Sequence, residues 1–244
     1  MLTRGKSQAP TRPKRFYKDA AAQPFEAGGF GVTLDGRNVK TPAGVVLTLP
    51  TLALAELIAA EWAAQVDFIV VPAMPATRLA FTTVDLAPDA RGPLADQLAG
   101  FAASDLLCYF VEGPETLLER QLAHWAPVLD WADRELDLRF IRTTGILHQP
   151  QPPETVDRVR ALAAGLDDFG LVGVGHAAGL FGSAILALAL QRGELTGEAA
   201  FDLSRLDEAF QEERWGVDEE AAARTAAMRT DAMMLESWFR ALAS

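Results

Sequence analysis

Apolar residues alternate along this chain only in its first third, and from Met74 onward they recur at helical spacing. A parallel doubly wound sheet needs strands and helices to alternate along the sequence, so this segregation excludes it. The expected fold class is α+β, with a small N-terminal strand-plus-helix domain followed by a multihelical C-terminal domain. The expected divisions are a flexible basic leader at 1–14, an α+β domain at 15–90 and an all-helical domain at 91–244.

In "GFGVTLDGRNVKTP" (29–42), Phe30, Val32 and Leu34 alternate with small or polar residues. Asp35-Gly36 supplies the positive φ angles of a tight hairpin turn. Val39 and Thr41 continue the returning strand, and Val45 to Leu49 read as a third. Thr51 is the expected N-cap of a helix whose inner stripe is Leu54, Leu57, Ile58 and Trp62. "FIVV" (68–71) reads as another short strand. Two helices are then expected, from "PATRLAFTTVDLA" and "PLADQLAGFAASDLLCYF". "PETLLERQLAHWAPVLDWADREL" follows, with a kink or break at Pro127, and then "PETVDRVRALAAGL". "DLSRLDEAFQEERWG" reads as one helix capped by Asp202 or Ser204. The last helix begins near Asp218, with Ala221, Thr225, Met228, Ala232, Leu235, Phe239 and Leu242 as its stripe.

The chain has 244 residues and a formal net charge of −11. That balance argues against a general nucleic-acid binder, which needs basic surface to neutralise phosphates. The lone Cys108 cannot form an intramolecular disulfide and suits a reducing compartment. Within residues 1–20, Arg4, Lys6, Arg12, Lys14, Arg15 and Lys18 stand against one acid, Asp19. With no apolar run this is not a secretory signal. It reads as a flexible basic arm, or as the remnant of an organelle presequence. Phe169 to Leu190 is long enough to span a membrane, but five glycines interrupt it. A glycine-rich turn before a buried helix fits better, so no membrane span is expected.

Reactive constellations are missing. His124, His148 and His176 are far apart and lack metal-ligand spacing. There is no GxSxG and no phosphate-binding GxxxxGK[ST] loop. "GVGHAAG" is one residue longer than the dinucleotide fingerprint and lacks its preceding strand. Gly175 and Gly179 read instead as a place where another helix backbone comes close. No metal and no cofactor are expected.

In "DEAFQEERWG" (207–216) a helix at ~100° per residue puts Leu203, Leu206 and Phe210 on one face. Glu208, Gln211, Glu212 and Trp215 share the opposite, charged face. A large aromatic there needs an explanation.

"RFYKDA" (15–20), "GFGVTLDGRNVKTP", "LAELIAAEWAAQ" (54–65) and "MPATRLAFTTVD" (74–85) together resemble one family. "DLLCYF" (105–110), "HWAPVLDW" (124–131), "GSAILALAL" (182–190) and "SRLDEAFQEERWG" (204–216) extend the resemblance, collinear from about residue 15 to 230. The family is the assembly chaperone for the α subunit of the F-type ATP synthase catalytic head. The resemblance implies a soluble, non-enzymatic chaperone without cofactor, monomeric when free. It implies transient binding of unassembled α subunit and release when the β subunit arrives. The site is bacterial cytoplasm, or the mitochondrial matrix if eukaryotic. On this reading Glu208, Gln211, Glu212 and Trp215 belong to the partner-binding face, with Glu208 matching the acid of the family's E-x-[FY]-Q-x-x-x-W-G pattern. The alternative for Trp215 is packing beneath the last helix. Arg37 and Lys40 could meet an acidic client surface or simply be solvated. Trp62 reads as core, and Arg78 as an ion-pair link between the domains. Three departures from the family stand out: Ala209 where an acid is common, Ala76 in place of Leu in "MPLTRL", and "VDEEAAART" after Gly216. Two rival functions stay open, an acidic enzyme whose carboxylates (Glu208 or Glu212) converge in space, and a scaffold or inhibitor that remains bound.

Overall fold

The computed structural model describes residues 13–145, 147–216 and 219–244. Residues 1–12, most of the expected leader, and Asp218, the expected start of the last helix, lie outside them. The first sheet is antiparallel, in the order β1 (Ala20–Pro24), β2 (Phe30–Leu34), β3 (Arg37–Asn38). Its hairpin turns at Asp35 (φ 48°) and Gly36 (φ 79°), the left-handed geometry the sequence demanded. β1 was not expected; it pairs with β2 from Ala20↔Leu34 to Pro24↔Phe30. The expected third strand reduces to two single bridges, Lys40↔Val46 and Phe30↔Leu49. Those bridges still bury Leu47 and Leu49 beside Val32, Leu34 and Val39.

Helix α1 (Leu52–Ala63) starts as expected, with the Thr51 hydroxyl accepting the Leu54 N–H. Trp62 is core. The "RFYKDA" segment clamps the other end of α1. Arg15 donates to the carbonyls of Gln65, Tyr17 and Lys18, and the Tyr17 hydroxyl donates to the Trp62 carbonyl at 2.8 Å. A cation at a helix C-terminus satisfies carbonyls that lack intrahelical partners.

Helix α2 (Pro75–Ala103) is continuous where two helices were expected. It lacks a side-chain cap of its own, and Glu61 of α1 supplies one. That carboxylate accepts from the N–H groups of Ala76 (2.8 Å) and Thr77 (2.7 Å) and from the Thr77 hydroxyl (2.6 Å). Pro75, Arg78, Leu79, Thr82, Leu94 and Gln97, which recur at helical spacing, border one groove along α5. Arg91 pins the second half by donating to the Leu166 carbonyl (2.7 Å) and to the Asp168 carboxylate. α2 also crosses residue 90, so the division there stays an organisational proposal in which α2 serves both sides.

After a 3-10 turn at Leu106–Cys108, β4 (Tyr109–Phe110) pairs in parallel with β5 (Thr143–Thr144). Between them runs α3 (Glu115–Leu136), which continues through Pro127. The helices α4 (Pro153–Ala164), α5 (Asp168–Phe181) and α6 (Ala184–Gln191) follow. The glycine-rich stretch is therefore helix α5, not a turn; the turn comes at Gly182 (φ 65°). The close approach falls at Gly173 rather than at Gly175 or Gly179. An added Cβ there would meet Phe239 Cε1 and Trp238 Nε1 at 2.9 Å, whereas one at Gly175 would meet only Leu94 Cδ2, at 3.7 Å. Helix α6 is the buried centre of the bundle.

The expected single helix over 202–216 is two, α7 (Gly197–Ser204) and α8 (Leu206–Trp215). Thr196, not Asp202 or Ser204, caps α7. Finally α9 (Glu219–Leu242) closes over α1, α5 and α7, with Ala232, Leu235 and Phe239 of its expected stripe buried. The Thr51 hydroxyl donates to the Ala241 carbonyl at 2.7 Å, tying the first helix to the last.

Candidate functional site

Helix α8 is held from beneath by α3. Leu206 and Phe210 are buried against the core. Two guanidinium groups lie over the Phe210 ring, Arg214 at 4.1 Å and Arg120 at 5.2 Å from its centroid. Arg120 also grips Glu213 in a two-point pair at 2.7 and 2.9 Å. Gln121 donates to Asp207 at 2.8 Å, and the Trp125 indole donates to the Leu203 carbonyl at 3.0 Å.

The four residues singled out by spacing do share the outer face. Glu208 and Gln211 are exposed and Glu212 is half-buried. Trp215 is 78% exposed, so it does not pack beneath α9. Arg205, at the break between α7 and α8, sits 3.7 Å from the Glu208 carboxylate and 3.3 Å from that of Glu212. Periodicity alone missed this residue: it holds two acids in register beside the indole. A shallow groove of about 470 Å³ adjoins, bordered by Leu106, Tyr109, Leu180, Met228, Arg205 and Glu208. The face therefore offers an aromatic anchor, negative charge and an apolar cleft side by side.

Other candidates take structural roles or stay apart. Cys108 is buried, and burial pushes its thiol far above its usual range. Among the described residues no three His, Cys, Asp or Glu side chains are grouped to hold a metal. His148 meets the Tyr109 hydroxyl at 3.0 Å. Arg37 and Lys40 are exposed on the hairpin. Arg78 makes no salt bridge among the described residues, contrary to the expected link. It borders a groove of about 500 Å³ with Leu79, Gly175, His176 and Asp231. No helix among the described residues is long and apolar enough to cross a membrane.

One ionisable residue went unnoticed in the sequence. Asp105 is completely buried, and burial raises its carboxyl to about 6 against the pull of its hydrogen bonds. It accepts from the Ser183 hydroxyl (2.7 Å) and from the N–H groups of Ile185 (3.1 Å) and Leu107 (3.1 Å). These bonds cap α6 from the end of α2. An acid inside the apolar run "DLLCYF" was the available signal, since a buried carboxylate must find donors.

Three comparisons bear on this arrangement. The family model described as ATP12 chaperone protein matches residues 14–133. The mitochondrial protein atp12 of Schizosaccharomyces pombe is 29% identical over 222 residues, covering 85% of this chain and 75% of its own length. The crystal structure of Atp12 from Paracoccus denitrificans superposes with a TM-score of 0.87 at 38% identity, over 93% of this chain and 97% of that one. The Atu1473 protein of Agrobacterium tumefaciens gives 0.88 at 40% identity, over 94% and 86%.

Proposed function

Since the chain belongs to the ATP12 chaperone family, we propose that it binds the unassembled α subunit of the F-type ATP synthase head. It keeps that subunit from aggregating and yields it to the β subunit. Binding runs through the outer face of α8, with Trp215 as the apolar anchor and Glu208, Gln211 and Glu212 beside it. The observation that carries this assignment is Trp215 itself, 78% exposed on a helix that α3 holds rigidly. Tryptophan is enriched at interface hot spots, where a rigid aromatic gains contact area at little entropic cost. The acids favour a client surface with basic groups and speed encounter. A transient interface of ~1,200–2,000 Å² suits a partner that must later be displaced by a larger, more apolar one. The chaperone acts without cofactor and without catalysing a reaction, in bacterial cytoplasm or in the mitochondrial matrix.

The test is light scattering of denatured α subunit diluted into buffer with and without the chain, followed by a β-subunit chase. Scattering should fall, and β should release the chaperone. Glu208→Lys should weaken α binding about tenfold, and Trp215→Ala by at least as much. Equal aggregation in both tubes would sink the function. Unchanged binding by both variants would remove α8 as the binding face while leaving the function standing.

A further inference from the structure

The N-terminal segment forms a second surface that the α8 face does not explain. Residues 13–15 run antiparallel to 67–69, joined at a single bridge with Lys14 opposite Phe68. The Arg15 N–H donates to the Asp67 carbonyl (2.9 Å) and the Ile69 N–H to the Pro13 carbonyl (2.8 Å). Lys14 and Phe68 lie side by side across the bridge; Tyr17 and Ile69 turn into the core, while Val66, Phe68 and Phe16, whose ring meets that of Tyr17 edge-on with centroids 5.3 Å apart, stay on the solvent side. The inner face is core: Tyr17 and Ile69 are each 5% exposed. The outer face is open: Phe16 is 73%, Val66 77% and Phe68 44% exposed. Three large apolar side chains together on solvent-facing surface mark an interaction site.

The backbone adds an independent observation. In an antiparallel pair, residues between the hydrogen-bonded positions turn N–H and C=O away from their partner strand. Lys14 occupies such a position and Phe16 follows the last bond of the pair, and none of their backbone groups has a hydrogen-bond partner among the described residues. A free edge beside an apolar face is a template for strand addition.

We propose that this edge receives an extended segment of the client, added as a strand along Lys14–Phe16. Its alternate apolar side chains seat against Phe16, and a carboxylate lies near Lys14. The assignment rests on the chaperone function proposed above. A second copy of this chain is the poorer occupant on charge. Lys14 sits on the edge with Lys18 four residues on, so two copies paired edge to edge would set like charges together. An acid-bearing client strand is attracted instead. The segment so recognised is extended, apolar on alternate residues and acidic, unlike the basic surface favoured at α8. The two surfaces thus read different parts of one client.

Hydrogen exchange of the full chain, alone and with purified unassembled α subunit, tests this. The Lys14 and Phe16 amides should exchange at least tenfold more slowly in the complex. Phe16→Pro removes an outward N–H while leaving the Arg15–Asp67 and Ile69–Pro13 bonds in place, and should weaken α binding about tenfold. The double variant F16T/F68T keeps the edge but loses the apolar face, and should weaken binding if Phe16→Pro fails to fold. Unprotected amides, with α bound at parental affinity by the variants, overturn this site alone. Slowing that needs no α but scales with the concentration of the chain itself assigns the edge to a second copy and also overturns it. Failure of the parent chain to bind α removes the function and this site together.

Discussion

Two glycines in one helix should respond oppositely to the same substitution. Gly173 and Gly175 both lie inside α5, so Gly→Ala gains the same helix propensity at each, about 0.8–1 kcal/mol. Packing separates them. At Gly175 the new methyl meets Leu94 Cδ2 at 3.7 Å, an ordinary contact. At Gly173 it meets the Phe239 ring and the Trp238 indole nitrogen at 2.9 Å, and both side chains are buried. Moving them costs about 1–3 kcal/mol of overpacking. It also strains the bond from the Trp238 indole to the Phe169 carbonyl (3.2 Å), worth roughly 0.5–1.5 kcal/mol. Gly175→Ala should therefore stabilise by about 1 kcal/mol and Gly173→Ala destabilise by about 2. The gap of about 3 kcal/mol corresponds to roughly 6–12 °C in Tm for a chain of this size. Urea and thermal melts followed by far-UV circular dichroism measure it. Equal melting of the two variants would refute the packing argument, because propensity alone predicts no difference.

The buried carboxyl of Asp105 makes a pH prediction. Its folded-state value of about 6 lies above the ordinary 3.8, so the native state holds the proton more tightly. The associated stability is full below about pH 4 and is lost as pH rises toward 6, by roughly 3 kcal/mol. Parent stability measured against Asp105→Asn should fall across that window and level off above it; a flat difference would contradict the burial argument. Gly197→Ala should cost at least about 2 kcal/mol in urea denaturation. Its Cβ would sit 2.3 Å from the Ala232 carbonyl oxygen, so the backbones of α7 and α9 would have to part.

Local chemistry was legible. Asp35-Gly36, Thr51 and Pro153 each act through their own backbone or their nearest neighbours, and each bounds an element as read. What depends on distant residues was not. "AAAQP" has no alternation and becomes a strand because β2 offers it an edge. Pro88, Gly92 and Pro93 look like a break, yet contacts with α4 and α5 carry α2 through them. The glycines of α5 look like a turn until Trp238 and Phe239 are found pressed against Gly173. At the site, spacing identified the face shared by Glu208, Gln211, Glu212 and Trp215. It could not say what covers that face, nor that Arg205 would leave the helix and bridge the two acids. Periodicity orders side chains around an axis and is silent about the next element in space.

The bond between Thr51 and Ala241 joins residues 190 apart in sequence. Its consequence is one of timing. A chain leaving the ribosome releases α1, α5 and α7 before α9, the helix that seals them. Until Trp238 and Phe239 emerge, the surfaces around Gly173 stay uncovered. Vectorial synthesis therefore leaves the nascent protein with an open apolar seam until α9 has emerged, the same predicament from which it is proposed to rescue its client.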